Sequence, residues 1–304
     1  MNKVIVIGSI NLDTNLRVKQ MPRPGETVHA SGHYSAAGGK GANQAVAAAR
    51  SGCEVSFIGG VGDDAPGKEM LGLLKSEGIN TQGIITAKKE STGQAFITVD
   101  DSGQNSITIY AGANYAFGPA EVEQNQDLIK SSDFLIAQFE TPLAATIKGF
   151  EIAHEAGVKT ILNPAPGMDK IPADLLKLTD IITPNETEAE TITGIKVTDE
   201  RTAQMAAAKL HDQGVKAVII TIGAKGAFYD YQDKRELIPA FKVKSVDTTA
   251  AGDTFIGAMT SILQPDLSNL KDAVLFANKA SSLTVQKYGA QPSIPYAKDI
   301  KLGK

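Results

Sequence analysis

The sequence predicts an α/β protein: a doubly wound, mostly parallel sheet with helices on both faces, plus a small separate β-sheet. Three observations predict it. Short runs that are apolar on both faces alternate with helical stretches that have recognisable ends. Glycine is concentrated in the loops that follow those runs. Two stretches break the rhythm with a period of two.

The apolar runs are Val4–Ile7, Val55–Gly59, Phe134–Gln138, Thr160–Leu162, Ile181–Thr183 and Ala217–Ile222, each a candidate buried strand. Ala65-Pro66 opens one helix, which closes near Gly78. Thr141-Pro142 opens another, with threonine as N-cap and proline in the first turn, and Gly157 closes it. Asp199 caps a third, ended by Gly214. Thr27–Ala36 alternates weakly, with Val28, Ala30 and Tyr34 on one side. Gln94–Tyr110 alternates clearly through Ala95, Ile97, Val99, Ile107 and Ile109, with a turn at Asp101-Ser102-Gly103. Half-buried antiparallel strands of this kind, inserted into a parallel-sheet protein, usually cover a site or pair subunits.

Composition bounds the function. The chain has 304 residues, 42% of them hydrophobic, enough for a sizeable core. A net charge of −4 argues against a broad nucleic-acid or anionic-membrane surface. Cys53 stands alone, so neither an internal disulfide nor a thiolate metal site is expected, and His29, His33, His154 and His211 lack zinc-ligand spacing. The chain runs straight into its first strand, with no leader pattern and no run of membrane-spanning length. A cytoplasmic protein is expected.

Five segments carry chemistry. Val246-Asp-Thr-Thr-Ala-Ala-Gly-Asp-Thr-Phe255 is small and polar and opens a helix marked by Phe255, Met259, Ile262 and Leu263. Free amides of Ala250, Ala251 and Gly252 at a helix start suit an anion, such as a phosphoryl group in transfer. Asp253 beside them is either a proton acceptor for a hydroxyl or simply a residue that favours the helix dipole. Gly38-Gly-Lys-Gly-Ala-Asn-Gln44 is a glycine-rich turn before a helix over 42–50, but it is neither a Walker A loop nor a complete dinucleotide fingerprint. That incompleteness weighs against a dinucleotide-dependent oxidoreductase. Gly39, Lys40, Gly41 and Asn43 there offer a close-approach backbone, a cation and an amide.

Asn11 and Asp13 follow the first strand two residues apart, on one side of an extended chain, where an amide and a carboxylate can fix vicinal hydroxyls. Asn185 and Glu188 share a helix-start face in Thr183-Pro-Asn-Glu-Thr-Glu188. They suit a hydrated Mg²⁺, or equally a capping box. Thr221-Ile-Gly-Ala-Lys-Gly226 is a compact loop before the strand Ala227–Tyr231, open to a nucleotide or merely a turn. Lys287–Ser293 is a further loop rich in carbonyls.

Taken together and in order, these segments resemble the ribokinase-like sugar kinases, also called the phosphofructokinase B family. The runs at 38–43 and 250–255 look like its two signatures, and Asn185-x-x-Glu188 looks like its Mg²⁺ and phosphate motif. The resemblance spans essentially the whole chain. It implies a single kinase domain over 1–304, with lid strands inserted from about 14–36 and 91–110, and a homodimer formed through that lid. It implies transfer of the ATP γ-phosphoryl group to the 5-hydroxyl of D-ribose, with Asp253 as base and Ala250, Ala251 and Gly252 as anion hole. Asn11, Asp13, Gly39, Lys40, Gly41, Asn43 and Glu140 would contact the sugar. Asn185, Glu188, Thr221, Gly223, Ala224, Lys225, Gly226, Gly252 and Asn278 would contact nucleotide and Mg²⁺, although Asn278 stands where the family often has histidine. A monovalent cation, K⁺, would sit among Asp247, Thr249, Thr284, Lys287, Gly289 and Ser293, with Lys287 giving only its carbonyl. Deoxyribose, fructose, a keto-deoxy sugar acid or a nucleoside remain alternative acceptors, and a non-catalytic sugar-binding relative is a further alternative.

Overall fold

The computed structural model describes residues 1–302. The chain opens with β1 (Lys3–Ile7), β2 (Asn11–Val18), β3 (Ala30–Gly38) and α1 (Lys40–Arg50). β4 (Glu54–Gly62), α2 (Ala65–Ser76) and β5 (Asn80–Ala87) follow, then the hairpin β6 (Gly93–Asp100) and β7 (Asn105–Tyr110). Two short helices, α3 (Pro119–Gln124) and α4 (Gln126–Lys130), lead to β8 (Phe134–Ala137), α5 (Leu143–Ala156) and β9 (Lys159–Leu162). Next come α6 (Ala173–Lys177), β10 (Ile181–Ile182), α7 (Glu186–Thr193), α8 (Glu200–Asp212) and β11 (Ala217–Thr221). β12 (Ala227–Tyr231), β13 (Lys234–Ile238), α9 (Ala251–Ile262) and α10 (Leu270–Thr284) complete the order.

The nine-stranded sheet runs β13-β12-β11-β10-β9-β8-β1-β4-β5 and is parallel from β11 to β5, with β12 and β13 added antiparallel. β1 lies between β8 and β4, so the chain winds outward from it in both directions. Successive side chains of a strand point to opposite faces. Val4 and Val6 accordingly join a core with α1, α9 and α10, while Ile5 and Ile7 join another with α5 and α8. Burial on both faces is why these strands read as continuous apolar runs. No helix among the described residues is long and apolar enough to cross a membrane.

The second sheet has four strands in the order β3-β2-β6-β7. Its register aligns Tyr34, Asn15, Ile97 and Ile107 in one row, and Ala36, Asp13, Ala95 and Ile109 in another. Paired residues share a face, so the face carrying Asp13 continues outward as isoleucines.

One close approach positions the site. A Cβ on Gly257 of α9 would lie 2.5 Å from the Ala47 Cβ and 2.6 Å from the Ala48 nitrogen of α1. Only glycine lets the two helices cross this tightly. Asp253 stands one turn before Gly257, so the crossing brings its carboxylate against α1.

Several expected boundaries are corrected. The α1 helix starts at Lys40 rather than Ala42, because Gly39 at φ 87° turns the chain into it. The strand expected from Thr27 begins only at Ala30 and runs to Gly38, while Asn11 and Asp13 lie inside β2. Thr141 does not cap α5: the helix starts at Leu143, and the buried Thr141 hydroxyl meets no partner. The run at 181–183 pairs over two residues only. Gly157 at φ 77° and the Asp199 cap stand as expected.

Candidate active site

The loops after β1, β8, β9, β10 and β11 all leave the same edge of the large sheet, where ligands of open α/β folds bind. Two cavities meet there. The smaller, about 170 Å³, is lined by Lys40, Asn163, Asn185, Glu188 and the Ala250–Asp253 turn. The larger, about 640 Å³, is lined by Gly223, Ala224, Gly226, Phe241, Val243 and Asn278 among others. Thr221, Ala251 and Gly252 border both, so the start of α9 forms the wall between them.

At that start Ala250 takes φ 60°, a left-handed turn that points successive amides outward. The Ala251 amide donates to the Thr248 carbonyl at 3.2 Å. The amides of Ala250, Gly252 and Asp253 meet no acceptor among the described residues. Of the three amides expected to face an anion, that of Ala251 is thus already bonded, and the Asp253 amide beside them is open as well.

Asp253 is buried, with 8% of its surface exposed. Its Oδ2 accepts from Asn43 Nδ2 at 3.1 Å and its Oδ1 from Gln44 Nε2 at 2.9 Å. Lys40 lies in the same cavity. Burial acts to lower its pKa, but the charges of Asp253, Glu140 and Glu188 outweigh burial and hold its ammonium above the ordinary value.

On the β1 side, Glu140 Oε2 accepts from the Lys40 amide at 3.0 Å and from Ser9 Oγ. Asn11 Oδ1 accepts from Asn114 Nδ2 at 2.7 Å, which turns the Asn11 amide nitrogen away from Asn114. Gly39 and Gly41 pack on this loop so closely that a Cβ on either would come within 3 Å of backbone at Ser9. Asp13 sits against Gly38, where a Cβ would overlap its carboxylate. Burial first, then Glu140 and Asp253, push the Asp13 carboxyl up to about 7. Asp13 Oδ1 and Asn43 Oδ1 are buried acceptors without a partner.

Asn185 and Glu188 form a true capping box: each side chain accepts the other's backbone N–H, at 2.8 and 2.9 Å. Burial raises the Glu188 carboxyl, against the Asn185 amide and Lys40. Asn278 donates to the carbonyls of Ile238 at 3.0 Å and Pro239 at 3.3 Å, so it also holds the cavity wall. Lys225 does not enter the cavity with its neighbours; its ammonium reaches the Thr198 carbonyl instead.

Two loops meet beside α9. Asp247 Oδ1 accepts from the Thr249 amide at 2.9 Å and its hydroxyl at 2.6 Å, and Oδ2 accepts from the Gly289 amide at 2.9 Å. Burial works to raise the Asp247 carboxyl, but these donors outweigh it and hold it below the usual value. Lys287 donates its amide to the Thr284 carbonyl, and Ser293 is fully buried against Ala290. No cluster of three or more His, Cys, Asp or Glu able to hold a metal occurs among the described residues.

The model of the pfkB family carbohydrate kinases matches residues 1–297. The chain belongs to that family. It is 48% identical over 300 residues to a ribokinase of Staphylococcus aureus, covering 98% of each chain. It is 52% identical to the bifunctional ribokinase/ribose-5-phosphate isomerase A of Fructilactobacillus sanfranciscensis, covering 97% of this chain but only 55% of that one. The structure of Arabidopsis thaliana ribokinase complexed with ribose and ATP superposes with a TM-score of 0.92 at 34% identity, covering 98% of this chain and 97% of that one.

Within this carbohydrate kinase, four polar residues near the site escaped sequence reasoning: Ser9, Gln44, Asn114 and Asn163. Gln44 had one local signal, a long amide on an alanine-rich helix at four residues from Lys40. Asn114 had none, since it acts on Asn11 across 103 residues.

Proposed function

We propose that this carbohydrate kinase transfers the γ-phosphoryl group of ATP to the 5-hydroxyl of D-ribose, giving ribose 5-phosphate and ADP. The single observation that carries the reading is the wall between the cavities, where unpaired helix-start amides and the Asp253 carboxylate stand side by side. The sugar oxygen forms the new P–O bond, the bond to the β-phosphate breaks, and the hydroxyl proton goes to Asp253. The amides of Ala250 and Gly252, helped by that of Asp253, would take the charge on the transferred group. Ala251 shapes that turn, and Lys40 adds positive charge beside it.

The partnerless acceptors at Asp13 and Asn43, with Asn11, Lys40 and Glu140 around them, support a polyol partner, because hydroxyls supply the donors they lack. Gly39 and Gly41 let the backbone close on it. The larger cavity is in the size range of nucleotide sites, with Thr221, Gly223, Ala224, Gly226 and Asn278 along it. Lys225 would serve through backbone only. Glu188 spends one oxygen on its cap and keeps the other, which suits Asn185 and Glu188 holding hydrated Mg²⁺; the ion supplies charge neutralisation at the phosphates. An ATP-consumption assay over ribose, deoxyribose, fructose and nucleosides tests the reading: ribose is expected to give the highest kcat/KM. Deoxyribose as the better substrate would overturn it. A 36% identical deoxyribokinase of Salmonella typhi makes that comparison pointed.

The loops joined by Asp247 offer mainly carbonyl oxygens at Thr249, Thr284, Lys287, Gly289 and Ser293, the donor chemistry of a monovalent cation site. Exchanging K⁺ for Na⁺ or Tris is expected to lower kcat, measured in coupled assays on cation-stripped enzyme. An unchanged rate would remove K⁺ from the scheme.

The four-stranded sheet is proposed as a lid that also pairs subunits within one 1–304 domain. Ile107 and Ile109 are 55% and 53% exposed, a costly apolar face for a monomer. Light scattering should give a dimer, and Ile107→Asp a folded monomer. Use of ATP and a single buried thiol, pushed up to about 12 by burial, suit a cytoplasmic enzyme.

A further inference from the structure

Gln44 is fully buried, yet it is the only long polar side chain on an inner face of α1 built otherwise from glycine, alanine, valine and Asn43. Its amide orientation is fixed by a chain of bonds that starts at a backbone carbonyl. Thr183 C=O can only accept, so Asn163 presents Nδ2 to it at 3.1 Å. Asn163 therefore presents Oδ1 to Gln44, which must answer with Nε2 at 3.1 Å. Gln44 Oε1 in turn accepts from Gln138 Nε2 at 2.6 Å. The Gln44 amide nitrogen is thus held as a donor, and its second acceptor is Asp253 Oδ1 at 2.9 Å.

We propose that Gln44 is a positioning residue for phosphoryl transfer: with Asn43 it grips both oxygens of the Asp253 carboxylate and fixes its rotation toward the sugar hydroxyl. This rests on the reading of Asp253 as general base. Asn43 and Gln44 are consecutive on α1 and hold different oxygens, Oδ2 and Oδ1. With either grip alone, the carboxylate turns about its Cβ–Cγ bond, a soft torsion. Two grips leave one plane, with the remaining lone pairs directed away from α1. Gln138 and Asn163 make no hydrogen bond to Asp253, and their part is to hold the Gln44 amide one way round.

Three variants test this. Gln44→Met keeps the length and removes the donor. Gln44→Glu keeps the shape and sets an acceptor against the carboxylate. Gln138→Met leaves Gln44 in place and removes the donor to its Oε1, loosening an amide that Asn163 still orients. One hydrogen bond to a charged group corresponds to roughly 10- to 100-fold in rate. Gln44→Met is expected to lose about that much kcat with ribose and ATP KM within about threefold, Gln44→Glu to lose more, and Gln138→Met to lose less. A packing role would show in melting temperature and leave kcat of the folded enzyme alone. Wild-type kcat in Gln44→Met, or a loss confined to ribose KM, overturns the proposal. Should Gln44→Met fail to fold, wild-type kcat in folded Gln44→Glu, which sets an acceptor against Asp253, overturns it equally. Asp253→Asn run in parallel separates the two levels. If it stays active, the base assignment falls and the proposal with it; if it is inactive while Gln44→Met is unimpaired, only the role of Gln44 falls.

Discussion

Asp253→Asn is expected to fold, to bind ribose and ATP, and to lose on the order of 10²–10⁴-fold or more in turnover. The substitution conserves shape inside a buried site where volume changes are felt. It removes the charge and one acceptor. An asparagine there can offer its oxygen to Asn43 or to Gln44, not both, since each now presents a donor. That costs about one hydrogen bond, on the order of 1 kcal/mol, which a two-layered core of this size tolerates. The effect on chemistry is of another order, because the variant has no group at that position able to take the hydroxyl proton. Circular dichroism melts and calorimetric titration with ribose check the fold and the site; steady-state kcat checks the chemistry. Near wild-type turnover with intact binding would remove Asp253 as the base.

The site was legible in proportion to how local its signals are. The turn before Asp253 announces itself because small residues, free amides and a helix start are contiguous in sequence. Asn11 and Asp13 share a side by period alone, and the structure places both in β2. The glycines at 38–41 were visible as a turn, and the contacts they permit explain them: each lies against backbone or a carboxylate with no room for a methyl group. What spacing does not carry is the partner. Gln44 bonds Asp253 across 209 residues, and only the crossing of α1 and α9 at Gly257 makes them neighbours. Sequence alone left Asn185 and Glu188 poised between cap and ligand. The structure shows the cap formed while one Glu188 oxygen remains for the cavity, so the two readings are compatible. The direction of the Lys225 side chain was illegible for a related reason. A compact glycine loop says where backbone is exposed, but the direction of a long side chain depends on acceptors elsewhere, here the Thr198 carbonyl.

Fold class was the most legible level, because strands buried on both faces must be apolar throughout. Helix starts were less so. Thr141-Pro142 satisfied the usual start pattern, yet the chain stays extended through Pro142, at φ −56° and ψ 124°, before the helix begins. Proline fixes only its own φ, and the route from β8 to α5 set the rest.

The amide half of the mechanism admits an equally direct test, since a backbone donor can be deleted by proline. Gly252 is the second residue of α9, a position where helices accept proline, and α2 already carries Pro66 at its own second position. A Cβ on Gly252 meets nothing within 4 Å, so that part of the side chain has space. Its amide has no acceptor among the described residues, so the fold loses no bond when it goes. Gly252→Pro is therefore expected to melt near wild type and to lose roughly 10²–10³-fold in kcat, the usual scale for one donor to a charge that develops in the transition state. Gly252→Ala supplies the control, because it also adds a Cβ toward the cavity but keeps the N–H. The ratio of the two kcat values removes the contribution of the added Cβ and leaves that of the N–H replaced by the ring Cδ. If proline and alanine prove equally impaired, the Gly252 amide carries no transition-state charge, and stabilisation would have to come from Lys40 and the Ala250 and Asp253 amides. If proline alone is crippled while ATP KM holds, the donor acts on the transition state rather than on bound nucleotide.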